Sequence, residues 1–204
     1  MDVKDKKYFV TAIGTDSGKT LLSAILAYKL SAKYWKPVQC GFPADSDTIR
    51  KWLGSDWPVY PESYRLETPV SPHLAANIER IQIEMSHFSI QASSENLVVE
   101  GAGGLLVPLN QRESMADLIE HLKLPIVLVV NHYLGSINHA LLTIAEIKFR
   151  KLSLAGIIFN GDDFQKSEDL ILSAAGCSCW LRLVREPKID LETIIRYSNL
   201  LKVS

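Results

Sequence analysis

The stretch Val10-Thr11-Ala12-Ile13-Gly14-Thr15-Asp16-Ser17-Gly18-Lys19-Thr20 joins two apolar patterns of different period. The residues that lead into it, Tyr8-Phe9-Val10, predict a buried strand. After it, apolar residues recur at the spacing of a helix: Leu21, Leu22, Ile25, Leu26 and Leu30. A strand, a turn of small residues and a helix in this order form a phosphate cradle, because backbone N–H groups and the positive end of the helix face the anion.

The end of this stretch, Gly18-Lys19-Thr20, carries the chemistry of a nucleotide site. Lys19 adds a full positive charge, and the Thr20 hydroxyl lies where Mg²⁺ bridges the phosphates of such sites. The general pattern G-x-x-x-x-G-K-[ST] places its first glycine at position 13, which is Ile13 here. The simpler alternative is a glycine turn between a core strand and a core helix. The triplet at this junction favours a nucleotide site formed by Gly14, Thr15, Asp16, Ser17, Gly18, Lys19 and Thr20.

The bulk composition predicts one globular domain that covers residues 1–204. Hydrophobic residues make up 47% of the chain and charged residues 22%, which allows a sizeable core. A net charge of −1 argues against broad electrostatic binding to nucleic acid or to an anionic membrane. Residues 1–7 lack the apolar segment of a signal peptide, and no apolar run is long enough to span a bilayer. The odd number of cysteines, Cys40, Cys177 and Cys179, favours a reducing cytoplasm.

The remaining chain alternates between predicted strands and helices. We expect strands over 34–41, 96–99, 125–130, 154–159 and 180–184. We expect helices over 45–51, from 71 onward, 114–122, 135–150, 163–175 and 191–201, a weaker one over 85–92, and a loop over 58–71. The run 125–130 is apolar on both faces, which is typical of a parallel sheet. The fold class is therefore α/β: a single-domain, mostly parallel open sheet with helices on both faces, similar to phosphate-loop NTPases.

Polar residues follow several of the predicted strands. Lys19 and Thr20, Lys36, Glu100 and Asn160 all fall near the carboxyl end of a strand. In an open parallel sheet ligands bind at these ends, so topology predicts that these side chains converge.

Several segments of the chain resemble the dethiobiotin synthetase family. These segments are the phosphate loop at 12–20, Lys36-Pro37-Val38, Asp47, Ser71-Pro72-His73-Leu74-Ala75-Ala76, Val99-Glu100-Gly101-Ala102-Gly103-Gly104 and Leu134-Gly135-Ser136-Ile137-Asn138-His139-Ala140. The resemblance extends from Tyr8 to Asn160. It implies ATP-dependent closure of the ureido ring of dethiobiotin from 7,8-diaminopelargonic acid and CO₂, through a carbamate that ATP phosphorylates. It also implies a homodimer with sites near the interface.

The resemblance assigns roles residue by residue. Lys19 and Lys36 would be catalytic, because ammonium groups neutralise carbamate and phosphate oxygens. Thr20, Asp47 and Glu100 would bind Mg²⁺, a hard ion that prefers oxygen ligands. The phosphate loop, with Glu100, Gly103 and Asn160, would bind ATP. The substrate would contact Lys36, Cys40, Ser136, Ile137 and Asn138. Two alternatives stay open: Asp47 could only cap a helix while Asp45 takes its role, and Asn160 could only form a turn before Gly161.

The sequence departs from the family pattern at three places. Ala12 replaces the first loop glycine, and Cys40 stands where many members have Ser or Thr. The stretch Leu183-Val184-Arg185-Glu186-Pro187 replaces a Gly-x-Ile-Pro stretch beside the adenine, which leaves the nucleotide preference open.

Two other protein classes compete with this interpretation. A partitioning-type regulatory ATPase would share the fold, but its additional lysine near the start of the phosphate loop is missing between Thr11 and Ser17. The second class is an amidotransferase-linked ligase or a nucleotide-binding protein without catalysis. Loss of catalysis predicts loss of Lys36 or Glu100, and both are present.

Overall fold

The computed structural model describes residues 6–90, 94–161 and 165–203. The strands in these ranges are β1 (Lys7–Ala12), β2 (Lys33–Trp35), β3 (Val38–Cys40), β4 (Val59–Tyr60), β5 (Tyr64–Leu66), β6 (Leu97–Glu100), β7 (Ile126–Asn131), β8 (Leu154–Asn160) and β9 (Cys179–Leu183). The α-helices are α1 (Lys19–Leu30), α2 (Asp45–Leu53), α3 (Pro72–Glu79), α4 (Met115–Leu122), α5 (Ser136–Phe149), α6 (Gln165–Ala175) and α7 (Leu191–Leu200).

A parallel sheet forms the centre of the molecule. Within the described ranges it has seven strands in the order β4-β2-β6-β1-β7-β8-β9. β1 lies between β6 and β7, with Phe9 opposite both Val99 and Ile126. This arrangement confirms the α/β class and the mostly parallel sheet that the apolar strand patterns predict.

Helices cover both faces of the sheet because side chains alternate along each strand. Phe9 packs in a cluster that includes Leu118 of α4 and Ile144 of α5. Its neighbour Val10 packs in a second cluster, with Ile25 of α1. Each cluster is one side of the hydrophobic core, so α1 and α4 lie on opposite faces.

The region before α3 differs from the prediction. The expected strand over 34–41 is split into β2 and β3, because Pro37 between them has no N–H group to donate to a ladder. The loop predicted over 58–71 contains β4 and β5. β4 extends the edge of the central sheet, and β5 pairs with β3 in a separate small sheet. Buried Leu66 explains why β5 is ordered against the core.

Three helix predictions also change. The weak helix over 85–92 is only a short 3₁₀ turn, Met85–His87, and Ala92 lies outside the described residues. The predicted start at Asp163 also lies outside them, and α6 is described from Gln165. The N-cap of α2 is Ala44, with no side-chain cap bond, so Asp45 is the first helical residue rather than the cap.

This topology gathers the ends of β1, β2, β6 and β8 at one edge of the sheet. The segments that follow these strands carry the polar residues named above, and they form the candidate site. Within the described ranges, no helix is both long and apolar enough to span a membrane.

Candidate active site

The turn between β1 and α1 is folded tightly around the carbonyl of Gly14. The Ser17 hydroxyl donates to this carbonyl at 3.0 Å, and the Lys19 ammonium donates to it at 3.2 Å. Asp16 and Gly18 have φ angles of 54° and 88°, the left-handed values that let such a turn close. Lys19 therefore lies folded over the loop, with its charge directed to the space that a phosphate would enter.

Asn160, the last residue of β8, is bonded to this loop. Its side-chain amide donates to the carbonyl oxygen of Ser17 at 2.9 Å. A Cβ atom at Gly18 would lie 2.4 Å from the Asn160 amide nitrogen, a separation that real Cβ atoms do not show. Position 18 therefore favours glycine, both for its φ angle of 88° and for this close approach.

Glu100, at the end of β6, is the centre of a buried polar network. Its Oε1 accepts from the Thr20 hydroxyl at 2.9 Å and from the Lys36 ammonium at 3.2 Å. Its Oε2 accepts from the Tyr34 hydroxyl at 2.9 Å. The carboxylate is 1% exposed, so these donors replace the water that an ionised group would otherwise require.

The two lysines have different electrostatic surroundings. Burial lowers the pKa of Lys36, but the negative charges of Glu100 and Asp45 outweigh it, so its pKa is raised above the ordinary value. Its ammonium lies 2.6 Å from an Asp45 oxygen and also donates to the Gly101 carbonyl at 3.0 Å. Burial and the positive charge of Lys36 lower the pKa of Lys19 to about 8. Lys36 is thus paired within the protein. At Lys19, burial and the charge of Lys36 outweigh the attraction of the nearby carboxylates.

These groups line one open cleft of about 940 Å³. The sequence-predicted residues that line it are Thr15, Asp16, Ser17, Gly18, Lys19, Thr20, Lys36, Cys40, Glu100, Gly103 and Asn160. Gly14 lines a smaller neighbouring cavity instead. The convergence predicted from topology is therefore present.

Besides Gly14, four sequence-predicted residues lie outside the lining of this cleft. Asp47 is half-exposed and lies 3.7 Å from Arg65 and 3.8 Å from Arg50. Ser136, Ile137 and Asn138 form the first turn of α5 and also do not line it. Asp45, two residues before Asp47, does line it.

The donor set suits a magnesium ion that ATP helps to coordinate. The carboxylates of Glu100 and Asp45 both contact Lys36, and the Thr20 hydroxyl is bonded to Glu100. All three groups offer hard oxygen atoms. In the described part of the chain, no group of three or more His, Cys, Asp or Glu side chains could hold a metal alone. Mg²⁺ is usually bound by one or two carboxylates plus phosphate oxygens, so the residues present fit such an ion.

Comparisons with known proteins place the chain among close relatives. The family profile described as "AAA domain" matches residues 6–193. The ATP-dependent dethiobiotin synthetase BioD of Cytophaga hutchinsonii is 48% identical, and the match covers 95% of each chain. The protein of the same name from Christiangramia forsetii is 42% identical, again over 95% of each chain. The chain belongs to the ATP-dependent dethiobiotin synthetase family.

Two solved structures share the fold of this chain. A ParA family ATPase from Chlorobium tepidum superposes with a TM-score of 0.56 at 15% identity, covering 96% of this chain and 91% of that one. A MinC:MinD cell division protein complex from Aquifex aeolicus gives a TM-score of 0.55 at 14% identity, covering 95% and 85%. At this identity only the fold is shared, so these structures do not favour the partitioning-type alternative.

Two of the three departures from the synthetase pattern, Cys40 and the C-terminal stretch, fall at the wall of the cleft. The third, Ala12, is buried and does not line it. Burial raises the pKa of the Cys40 thiol to about 11, which keeps it protonated at neutral pH. The substituted C-terminal stretch still reaches the cleft, because Val184, Arg185 and Glu186 line it. The Tyr197 hydroxyl donates to Glu186 at 2.5 Å and fastens this segment to α7.

Tyr34 lies in the strand predicted over 34–41, and the sequence pattern assigns it no role. A signal was available, because Tyr34 and Lys36 are two residues apart on an extended segment and therefore face the same side. Gln39 was also missed: its side-chain oxygen accepts from the Asp45 backbone N–H at 3.0 Å and fixes the start of α2.

Proposed function

We propose that this chain closes the ureido ring of dethiobiotin from 7,8-diaminopelargonic acid, CO₂ and ATP. The observation that carries this proposal is the convergence of Lys19, Lys36, Thr20 and Glu100 in one cleft at the ends of β1, β2 and β6. Membership of the synthetase family identifies the reaction, and the cleft supplies the charges that the reaction requires.

The proposed reaction has three steps. One amine of the substrate adds to CO₂ and releases a proton, which gives a carbamate. A carbamate oxygen then attacks the γ-phosphorus of ATP, and ADP leaves with the electrons of the broken bond. Finally the neighbouring amine attacks the carbamoyl carbon, phosphate leaves with the electrons of the broken C–O bond, the amine releases a proton, and the ring is closed. Each step depends on alignment and charge neutralisation, so no protein nucleophile is needed.

Lys19 and Lys36 are the catalytic residues of this proposal. Lys19 lies over the phosphate loop and would contact oxygens of the γ-phosphate. Lys36 lies between Glu100 and Asp45, where its ammonium would contact the carbamate. Two compact cations in a partly enclosed cleft would stabilise charge as it passes from ATP to the carbamate.

The metal assignment includes Thr20 and Glu100, with one aspartate. A bound Mg²⁺ would neutralise phosphate charge and polarise the γ-phosphoryl group. The family resemblance selects Asp47, whereas the position beside Lys36 favours Asp45, which lines the cleft. We assign the role to Asp45, with Asp47 as the residue against which it is tested. The remaining predicted contacts to ATP are the loop from Gly14 to Lys19, with Gly103 and Asn160.

We also propose that the chain forms a homodimer. Apolar side chains are exposed on α5 and the loops beside it: Leu106, Leu134, Leu142 and Phe149. Ser136, Ile137 and Asn138 begin the same helix but do not line their own cleft. If these residues bind substrate as predicted, they would do so in the cleft of a second copy, since this face would meet the partner. Cys40 would contact the substrate within its own subunit.

The compartment proposed for the enzyme is the cytoplasm. All three cysteines are free thiols, as a reducing compartment maintains them.

Product analysis tests the proposed reaction directly. The protein is incubated with the diamine, ATP, Mg²⁺ and ¹³C-bicarbonate, and the products are analysed by mass spectrometry. We expect dethiobiotin with one ¹³C atom in its ureido carbonyl. Absence of a labelled ureido product from a folded, ATP-binding preparation would contradict the proposal.

A further inference from the structure

The hydroxyl of Tyr34 contacts the carboxylate around which the site is arranged. Tyr34 lies in β2 and is fully buried, and its hydroxyl donates to Glu100 Oε2 at 2.9 Å. It does not line the cleft itself, whereas Glu100 does. Tyr34 therefore contacts a cleft residue from a position in the protein core.

The sheet explains how Tyr34 reaches Glu100. β2 pairs with β6 in parallel, and Tyr34 is opposite Val98, two residues before Glu100. Tyr34 and Val98 pack in the same cluster as Ile25 of α1, so they face the α1 side of the sheet. Because alternate residues share a face, Glu100 projects on the same side as Val98. The Tyr34 side chain spans the distance of two residues along the strand to reach the carboxylate.

The two oxygens of Glu100 have separate sets of partners. Oε1 accepts from Thr20 and Lys36, both of which line the cleft. Oε2 accepts from Tyr34. Burial raises the pKa of Tyr34 well above its ordinary value, and the nearby charge of Glu100 raises it further, so the hydroxyl stays a neutral donor. Tyr34 thus occupies one oxygen and fixes the rotation of the carboxylate.

We infer that Tyr34 is a positioning residue that presents Glu100 Oε1 to the metal–phosphate site. This inference rests on the proposed function, in which Glu100 is a metal ligand. Hydrogen-bonded partners of ligating carboxylates fix their orientation, and their removal typically weakens metal affinity about 10–100-fold. The alternative is that Tyr34 only fills the core, in which case its ring matters and its hydroxyl does not.

The substitution Tyr34→Phe separates these two roles, because it keeps the ring and removes one oxygen. The probe is Mn²⁺, whose binding to the protein with a non-hydrolysable ATP analogue is measured by electron paramagnetic resonance. We expect Tyr34→Phe to weaken Mn²⁺ binding by about tenfold or more, with an unchanged circular dichroism spectrum. The matched control is Tyr64→Phe. Its hydroxyl is hydrogen-bonded to His87 and to the backbone N–H of Glu84, and Tyr64 does not line the cleft. The control should bind Mn²⁺ as the unmodified protein does.

Glu100→Gln distinguishes a failure of this inference from a failure of the proposed function. If Glu100→Gln binds Mn²⁺ normally, the metal assignment itself is wrong and the inference fails with it. If Glu100→Gln weakens binding but Tyr34→Phe does not, only the role of Tyr34 is overturned.

The double variant Tyr34→Phe/Glu100→Gln provides a second measurement, which is based on stability. Urea unfolding of the single and double variants gives the coupling between the two side chains. We expect the Tyr34 substitution to cost less stability in the Glu100→Gln background, because the buried carboxylate oxygen that loses its donor is then absent. Additive effects on stability and on Mn²⁺ binding would overturn the inference.

Discussion

The side-chain amide of Asn160 is bonded to the carbonyl of Ser17 at 2.9 Å, which joins the end of β8 to the phosphate loop. The Asn160 amide nitrogen lies beside Gly18, 2.4 Å from the point that a Cβ atom there would occupy. The bond fixes the loop from the side opposite Glu100, so two strand ends, those of β6 and β8, hold one nucleotide-binding turn.

This contact predicts that Gly18→Ala disrupts ATP binding. The new Cβ would lie 2.4 Å from the Asn160 amide nitrogen. The residue would also adopt φ 88°, and the left-handed region costs a residue with a Cβ roughly 1–2 kcal/mol. We expect ATP affinity, measured by titration calorimetry, to fall by at least about tenfold, which corresponds to about 1.4 kcal/mol.

Gly176→Ala is the control for Gly18→Ala. Gly176 has φ 72°, yet a Cβ there would meet no atom within 4 Å, and the residue is not in the cleft lining. It should lower stability without changing ATP affinity. Equal ATP affinity in both variants would show that the approach of Asn160 has no effect on the loop.

The lowered pKa of Lys19 predicts that ATP binding takes up a proton in mildly alkaline solution. In the ligand-free protein the pKa of Lys19 is about 8, so near this pH about half of the molecules carry a neutral Lys19. Phosphate favours the charged form, so binding must protonate the neutral fraction. Uptake should therefore be small at pH 7 and rise as the pH increases through 8 toward 9.

Calorimetry of ATP binding in two buffers of different ionisation enthalpy measures this uptake. The same experiment on Lys19→Ala is the control, since that variant lacks the titrating group. Lys19→Ala should also abolish turnover while its circular dichroism spectrum stays normal. Identical proton uptake in both proteins would remove Lys19 from the phosphate site.

The choice between Asp45 and Asp47 predicts different metal requirements. Asp45→Asn removes the carboxylate that lies 2.6 Å from Lys36, whereas Asp47→Asn removes one that contacts Arg50 and Arg65 outside the cleft lining. We expect Asp45→Asn to raise the Mg²⁺ concentration needed for half-maximal rate, as Glu100→Gln should, because each removes a charged oxygen ligand. Steady-state rates at varied Mg²⁺ measure this. A raised requirement in Asp47→Asn alone would return the assignment to Asp47.

Cys40 offers a test of the substrate side. Its thiol is a poor hydrogen-bond donor, and its pKa of about 11 keeps it neutral. Cys40→Ser should keep kcat and leave the KM for the diamine unchanged or lower it by about 2–10-fold, the effect of a hydrogen bond worth about 0.5–1.5 kcal/mol. A large loss of activity in the folded variant would show that the thiol itself is needed.

Local patterns in the sequence were sufficient to predict the sheet and the phosphate loop. Apolar strands such as β7 are buried on both faces, which leaves a parallel sheet as the arrangement that fits them. The positions of Lys19, Lys36 and Glu100 then follow from the topology of that sheet. The short strands β4 and β5 could not be predicted in this way, because they form by pairing with β2 and β3. The local sequence pattern also did not predict the interruption at Pro37.

Which side chains contact each other could be determined only from the structure. Asp45 and Asp47 are equally suitable in sequence, and only the packing of α2 directs Asp45 toward Lys36 and Asp47 toward Arg65. The pairing of Tyr34 with Glu100 joins residues on two strands far apart in the chain, so periodicity could indicate the face of Tyr34 but not its partner.

The dependence of ADP release on both co-substrates tests the central proposal most directly. The cleft would align Lys19 and Lys36 around a carbamate, an anion that forms only when diamine and CO₂ are both present. Without it the γ-phosphate lacks an aligned nucleophile, and positioning supplies most of the rate in phosphoryl transfer. ADP release is measured with ATP and Mg²⁺ alone, then with diamine, and then with bicarbonate added. Rapid release only in the complete mixture is the predicted result, and steady hydrolysis that is indifferent to both additions would contradict the proposal.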